Sequence, residues 1–320
     1  MSTIGGVKIV EKAEVNLNAS QLSLDICAII WEWLDCFSEL SVVKYPKFEG
    51  FWRHIHIKEN QNGEYLIIFR FNDYNKWEFD WKSERGGFIR FVRSMSLKKG
   101  YTLKAIYYQI CEGTSEPKRV DTFHRIYYDG ELIQRMLGYN FVIHPGCFFQ
   151  VNTQLAKILY SVVQSFFKSS VGEVLLDLCC GVGMFGILMS KLFKEVYGID
   201  NNPCNIEMVG RNCELNNVTN YKYILGNVED IVDKVLVGGK RYSIVVNPPR
   251  RGLYTNFIEY INSKKEFVKD IVYVSCNMTS LKRDLDEFGD DWEVENIVPL
   301  DQFPNTNHCE IIVKMKNKIF

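Results

Sequence analysis

Apolar positions change their period along this 320-residue chain, and each period predicts an element. Leu22, Ile26, Ile29, Ile30, Leu34 and Phe37 recur at helical spacing, which predicts an amphipathic helix with Asn18 or Ser20 as its cap. Residues 1–17 before it carry no such pattern and are expected to be poorly structured. From Trp52 the period falls to two. Residues 52–57 and 65–71 alternate on either side of Asn60-Gln61-Asn62-Gly63, which reads as a hairpin. A helix around 88–95 and a strand at 103–110 complete an α+β layer. A longer helix, about 153–168, follows the polar and aromatic run Gly146-Cys147-Phe148-Phe149-Gln150-Val151-Asn152.

From Val174 onward, short apolar runs alternate with helical segments. Strands are expected at 174–178, 196–199, 221–225, 243–246, 271–275, 294–299 and 309–314. That alternation implies a parallel, doubly wound sheet. The expected organisation is therefore an α+β domain over 1–145 and a Rossmann-like α/β domain over 146–320.

Composition changes this picture little. Apolar residues make up 47% and charged residues 24%, as in globular proteins generally. No run approaches membrane-spanning length and the start lacks a signal-like segment. The ten cysteines never form Cys-x-x-Cys, which argues against zinc ribbons, thioredoxin chemistry and the common iron–sulfur spacings. Reduced thiols in a soluble intracellular protein are the simplest account. His54 and His56 share a strand face, but no third ligand lies nearby, so no metal site is expected. A net charge of −1 does not advertise nucleic-acid binding. Arg90, Arg93, Lys98, Lys99 and Lys104 form a basic scatter that reads as a solvated face or as a face for phosphates.

Three stretches carry candidate chemistry. Gly181-x-Gly183-x-x-Gly186 follows the first α/β strand, where glycines permit a tight turn and close ligand approach. Asp200 ends the second strand and suits two ribose hydroxyls. These features fit NAD or S-adenosylmethionine alike. Asp177 just before the glycines favours the latter, because a carboxylate attracts a cationic amino acid and repels a pyrophosphate. Asn247-Pro248-Pro249-Arg250 ends the fourth strand, its prolines fixing a rigid loop. Lastly, Val272-Tyr273-Val274-Ser275-Cys276-Asn277 reads as a strand ending in a thiol, which can be a core cysteine or one projecting into a cleft.

Five ordered segments together resemble the RNA 5-methyluridine methyltransferase family, with most likeness to eukaryotic tRNA (uracil-5-)-methyltransferases. They are Phe148-Phe149-Gln150-Val151-Asn152, Leu176-Asp177-Leu178-Cys179-Cys180-Gly181-Val182-Gly183, Asn247-Pro248-Pro249-Arg250-Arg251-Gly252, Tyr273-Val274-Ser275-Cys276-Asn277 and Phe303-Pro304-Asn305-Thr306-Asn307-His308-Cys309-Glu310. The resemblance implies an S-adenosylmethionine-dependent enzyme acting on a tRNA uridine, in the T-loop, as a monomer. It implies Cys276 as nucleophile and Glu310 as base, with Gln150, Asp200 and Asn247 lining the cofactor site beside Asp177, Gly181 and Gly183. In the methyltransferase arrangement the seventh strand is antiparallel and lies beside the fifth, which would bring Cys276 and Glu310 to one sheet edge.

The chain departs from that family in places. Asn247 stands where Asp is usual and Met278 where Pro is usual. The family's early strands have no evident counterpart before the first helix, and neither its accessory domain nor its cysteine cluster is recognisable. Two other readings follow from the same residues. One is a 5-methylcytosine RNA methyltransferase, against which Arg250 occupies the place of that enzyme's strand-four cysteine. The other is a tRNA-binding or tRNA-folding homologue with weak or absent catalysis.

Overall fold

The computed structural model describes residues 2–4, 7–9, 19–44, 49–72, 81–111, 123–167 and 174–320. The chain forms two compact units: residues 1–134 with 143–146, and residues 135–142 with 147–320.

In the first unit, strands β1 (Ser2–Ile4) and β2 (Val7–Ile9) pair antiparallel, where an unstructured start was expected. Helix α1 (Gln21–Cys36) is capped by Ser20, whose Oγ accepts the Ser23 N–H at 3.0 Å. Strands β3 (Trp52–Glu59) and β4 (Glu64–Asn72) form the expected hairpin. Helix α2 (Trp81–Lys98) then crosses to β5 (Thr102–Cys111), which pairs parallel to β4, and β6 (His124–Tyr128) closes the sheet antiparallel. Ile26, Ile30 and Trp33 of α1 share a core with Phe88 and Val92 of α2 and with Tyr65, Ile67 and Phe69 of β4. Helix α2 starts well before the expected residue 88. Gly86-Gly87 weakens the sequence pattern there, yet a Cβ at Gly87 would lie 2.9 Å from the Trp33 ring, so the glycine lets the two helices close up. Neither His54 nor His56 belongs to a group of three metal-ligating side chains among the described residues.

Strands β7 (Ile133–Met136) and β8 (Tyr139–Val142) form a further hairpin. Residues 135–142 belong to the second unit, whereas a single division after 145 was expected. The reason is local. Asn212 Oδ1 accepts the Val142 N–H at 2.9 Å, and Asn216 Oδ1 accepts the Asn140 N–H at 2.8 Å.

The second unit has helix α3 (Thr153–Phe166), then β9 (Val174–Leu178), α4 (Met184–Met189), β10 (Glu195–Asp200), α5 (Pro203–Asn216), β11 (Tyr221–Leu225), α6 (Val228–Val235), β12 (Tyr242–Val246), α7 (Thr255–Ser263), β13 (Val268–Ser275), α8 (Met278–Phe288), β14 (Trp292–Leu300) and β15 (Glu310–Asn317). The sheet order is β11-β10-β9-β12-β13-β15-β14. All pairs are parallel except those of β15, which runs antiparallel between β13 and β14. The central strands β9 and β12 are buried throughout, with an apolar cluster on each face. Among the described residues, no helix is long and apolar enough to cross a membrane.

Candidate active site

The ligand-binding edge of an open α/β sheet lies beyond the carboxyl ends of its parallel strands. Leu178 ends β9 there, and the chain turns through Cys179 and Gly181, both at positive φ. The glycines divide their work. A Cβ on Gly181 would meet nothing within 4 Å, so this residue borders open space. One on Gly183 would press on Val209 and Tyr221, and one on Gly186 would lie 2.5 Å from the Tyr221 ring. Gly181 is therefore the glycine open to a ligand, while Gly183 and Gly186 make room for Tyr221.

Asp177 differs from the expectation of a carboxylate facing a cleft. It is 1% exposed, and its Oδ2 accepts from the Gly186 N–H and the Tyr221 hydroxyl, each at 2.8 Å. Burial pushes the pKa of its carboxyl up to about 7. The bonds from Tyr221 and Gly186 oppose that shift, and the Asp200 charge adds to it. Asp177 thus ties the first turn of α4 to β11, leaving Oδ1 buried without a partner. Asp200 sits at the end of β10. Its Oδ2 accepts the Gly181 N–H at 2.9 Å, and its Oδ1 accepts the Asn202 N–H and the Asn205 amide, each at 2.9 Å. Asn205 Oδ1 is left buried and unpartnered beside it.

The loop before α3 carries Gln150, which is buried, and Phe148, which is 56% exposed. Asn152 Oδ1 caps α3 by accepting the Leu155 N–H at 3.2 Å. At the end of β12, the Asn247 N–H reaches the Leu178 carbonyl at 3.3 Å, placing Asn247 beside the glycine loop's origin.

Strand register brings the thiol and the carboxylate together. Val274 pairs with Ile312 and Ser275 with Ile311, so Cys276, one residue beyond, stands opposite Glu310. Alternation puts both on the face of Val274 and Ile312, which packs in the cluster that includes α3. The two side chains interact electrostatically: burial first, then the Glu310 charge, raises the Cys276 thiol, while the charge and hydrogen bond of the Arg250 guanidinium lower it. Glu310 is 4% exposed, its Oε2 has no partner, and burial pushes its carboxyl up to about 6. Asn277 caps α8 directly after the thiol, accepting the Thr279 and Ser280 N–H groups at 2.9 and 3.3 Å.

The loop that carries Arg250 is held by α8. Buried Asp284 accepts the Leu253 N–H and the Tyr273 hydroxyl, each at 2.7 Å. Arg283 donates to the Arg251 and Leu253 carbonyls at 2.9 and 3.0 Å, and Ser280 Oγ donates to the Arg250 carbonyl at 3.0 Å. Asp284 and Asn205 were not singled out from the sequence, although each left a signal. Asp284 sits on the apolar face of a helix with Leu281 and Phe288. Pro203 at the first turn of α5 fixes where that helix starts, which turns Asn205 back toward Asp200.

A sheet of this order, with an antiparallel seventh strand and a glycine loop after its first, is the Rossmann-like fold of S-adenosylmethionine-dependent methyltransferases. Residues 113–318 match the family model described as tRNA (Uracil-5-)-methyltransferase. The chain belongs to that family. It is 30% identical over 278 residues to the tRNA (uracil(54)-C(5))-methyltransferase of Pyrococcus abyssi, covering 87% of this chain and 61% of that one. An RNA methyltransferase of Clostridium tetani is 29% identical over 309 residues, covering 93% and 65%. The crystal structure of the P. abyssi tRNA (uracil-54, C5)-methyltransferase with S-adenosyl-L-homocysteine is similar, with a TM-score of 0.77 and 28% identity over 98% of this chain and 71% of that one. The chain spans about half to two thirds of the length of the curated relatives it matches.

Proposed function

We propose that this chain methylates C5 of a tRNA uridine, in the T-loop, using S-adenosylmethionine and a covalent thiol adduct at C6. The observation that carries this reading is the ladder register that sets Cys276 opposite Glu310, with Arg250 on the thiol.

The cofactor fits the residues present. Gly181 borders open space, and Asp200 and Asn205 offer acceptors to ribose hydroxyls, Asn205 through a buried oxygen that lacks a donor. Gln150 and Asn247 complete the expected lining. Asp177 acts one layer deeper, holding the glycine loop in shape. Bound there, S-adenosylmethionine supplies a methyl group activated by its sulfonium.

The protein residues perform the other steps. The Cys276 thiolate adds to C6 and turns C5 into a carbon nucleophile. Arg250 favours the thiolate that burial disfavours. After C5 has gained its methyl group, Glu310 takes the C5 proton, and the C6–sulfur bond breaks to release the thiolate. A carboxyl poised at about 6 is mostly ionised at neutral pH and still receptive to a proton. Exposed Phe148 offers a ring to an extruded base, and Arg90, Arg93 and Lys98 offer charge to phosphates. The protein acts as a soluble intracellular monomer, its ten cysteines all unbridged.

The test is a denaturing gel of the protein with 5-fluorouridine-containing tRNA, together with nucleoside mass spectrometry of treated tRNA. A Cys276-dependent adduct and 5-methyluridine are expected. 5-Methylcytosine would point to the cytosine enzymes. Against that outcome, burial pushes both thiols beside the glycine loop up, Cys179 to about 12 and Cys180 well above its ordinary value, which disfavours a second thiolate there. Tight tRNA binding without adduct or product would mark a folding homologue.

A further inference from the structure

We infer that Gln302 docks the imide edge of the target pyrimidine, accepting from N3–H and donating to an adjacent carbonyl. This rests on the proposed function above.

Gln302 is 2% exposed, and both polar atoms of its side chain are buried with no hydrogen-bond partner. No other described residue leaves two such atoms unsatisfied. An amide buried without partners loses its bonds to water and gains none in return, so it weighs against the fold. A methionine of similar shape would avoid that cost. A buried amide of this kind is explained by a partner that arrives with the substrate.

Its place in the fold identifies the partner. Leu300, the last residue of β14, pairs with Glu310, and Glu310 stands opposite Cys276, so these three form one row across the sheet edge. The Gln302 N–H bonds the Leu300 carbonyl at 2.9 Å, so the chain turns tightly after β14 and keeps Gln302 just beyond that row. The following loop is internally tied. Thr306 Oγ1 donates to the Phe303 carbonyl at 2.7 Å and accepts the His308 N–H at 3.2 Å. A pyrimidine with C6 on the thiol and C5 over Glu310 projects the rest of its ring away from both. N3 is the ring atom directly across from C6. Uracil presents there a donor flanked by two acceptors, and a carboxamide offers the matching acceptor and donor. Gln302 thereby becomes a base-docking group that aligns C6 and C5 with the row behind it.

Gln302→Met keeps the volume and removes the amide. Three readouts are needed: thermal unfolding of the free protein, calorimetry with S-adenosylhomocysteine, and the rate of adduct formation with 5-fluorouridine tRNA at limiting tRNA. The expected result is an unchanged or higher melting temperature, unchanged S-adenosylhomocysteine affinity, and adduct formation slowed by about 10- to 100-fold. Gln302→Glu should show the same loss near neutral pH. Relative to wild type it should recover as pH falls, because a protonated carboxyl offers a donor and an acceptor as the amide does. A lowered melting temperature in Gln302→Met, or an adduct rate within twofold of wild type, would assign the amide to the fold and overturn the inference. Failure of the wild-type protein itself to form the adduct would instead remove the methyltransferase reading, and this inference with it.

Discussion

Glu310 is asked to be both buried and basic, and the two demands predict separate results. In the proposed role of base it would act only after thiol addition. Glu310→Gln should therefore accumulate a slow-migrating protein–RNA adduct that carries the methyl group, whereas Cys276→Ala should form neither adduct nor product. Wild-type turnover in Glu310→Gln would show that another group removes the proton. As a buried carboxyl raised to about 6, it stabilises the fold fully below its unfolded value of about 4.3, and that contribution is lost as pH rises through about 6. Glu310→Gln should thus be more stable than wild type near pH 8, by about 2 kcal/mol in denaturant unfolding, and should converge with it below about pH 4. Asn247→Asp should preserve or raise turnover, since an amide there keeps hydrogen bonding but supplies no charge; complete loss would mean a rebuilt site. The meeting of Cys276 with Glu310 at one sheet edge was legible in the sequence because each sits in a distinctive segment. Gln302, Asn205 and Asp284 were not, because their significance lies in partners, or in missing partners, that only the folded chain defines.

Helix α8 is the element on which the surroundings of Cys276 depend. It begins just after Cys276; its buried Asp284 and half-exposed Arg283 hold Arg251 and Leu253, and its Ser280 holds the Arg250 carbonyl. Asp284→Ala leaves the Leu253 N–H and the Tyr273 hydroxyl without their acceptor. It should cost about 3 kcal/mol in unfolding. Adduct formation should also fall, because Arg250 is released from the thiol; an undiminished adduct rate would show that the loop keeps its shape without this clamp. Tyr221 of β11 has an equivalent part on the other side of the glycine loop. It fills the space that Gly186 and Gly198 leave, where a Cβ would lie 2.5 and 2.4 Å from the ring. Gly198→Ala should accordingly destabilise by about 1–3 kcal/mol through overpacking. All seven strands of this sheet were legible within a few residues, the central β9 and β12 because strands buried on both faces read as near-continuous apolar runs. The glycine loop was legible as a motif but not in its division of labour. A fingerprint reports where glycines are needed, not whether a ligand or a tyrosine is what approaches.

For the whole molecule, a net charge of −1 means that RNA affinity must come from local basic surface. Arg90, Arg93 and Lys98 are exposed, but Lys99 is paired with Asp25 at 3.2 Å and Lys104 with Glu64 at 3.8 Å. Filter binding of tRNA should weaken with salt. Replacing Arg90, Arg93 or Lys98 by Ala should each lower the logarithmic salt slope by about one, and replacing Lys99 or Lys104 should lower it by less. Affinity independent of salt would exclude phosphate contacts. The sheet order also has a consequence in time. β15 lies between β13 and β14 but is synthesised after both. A ribosome adding about 5–20 residues per second needs roughly 2–8 s to pass from the end of β13 to the end of β15. Through that interval the apolar edge of β13 waits without its neighbour, and β14 has nothing to pair with. The strand that closes this gap is the one that begins with Glu310. The proposed nucleophile and base therefore meet only when the sheet is complete, so a newborn chain carries Cys276 for seconds before it has the carboxylate that faces it.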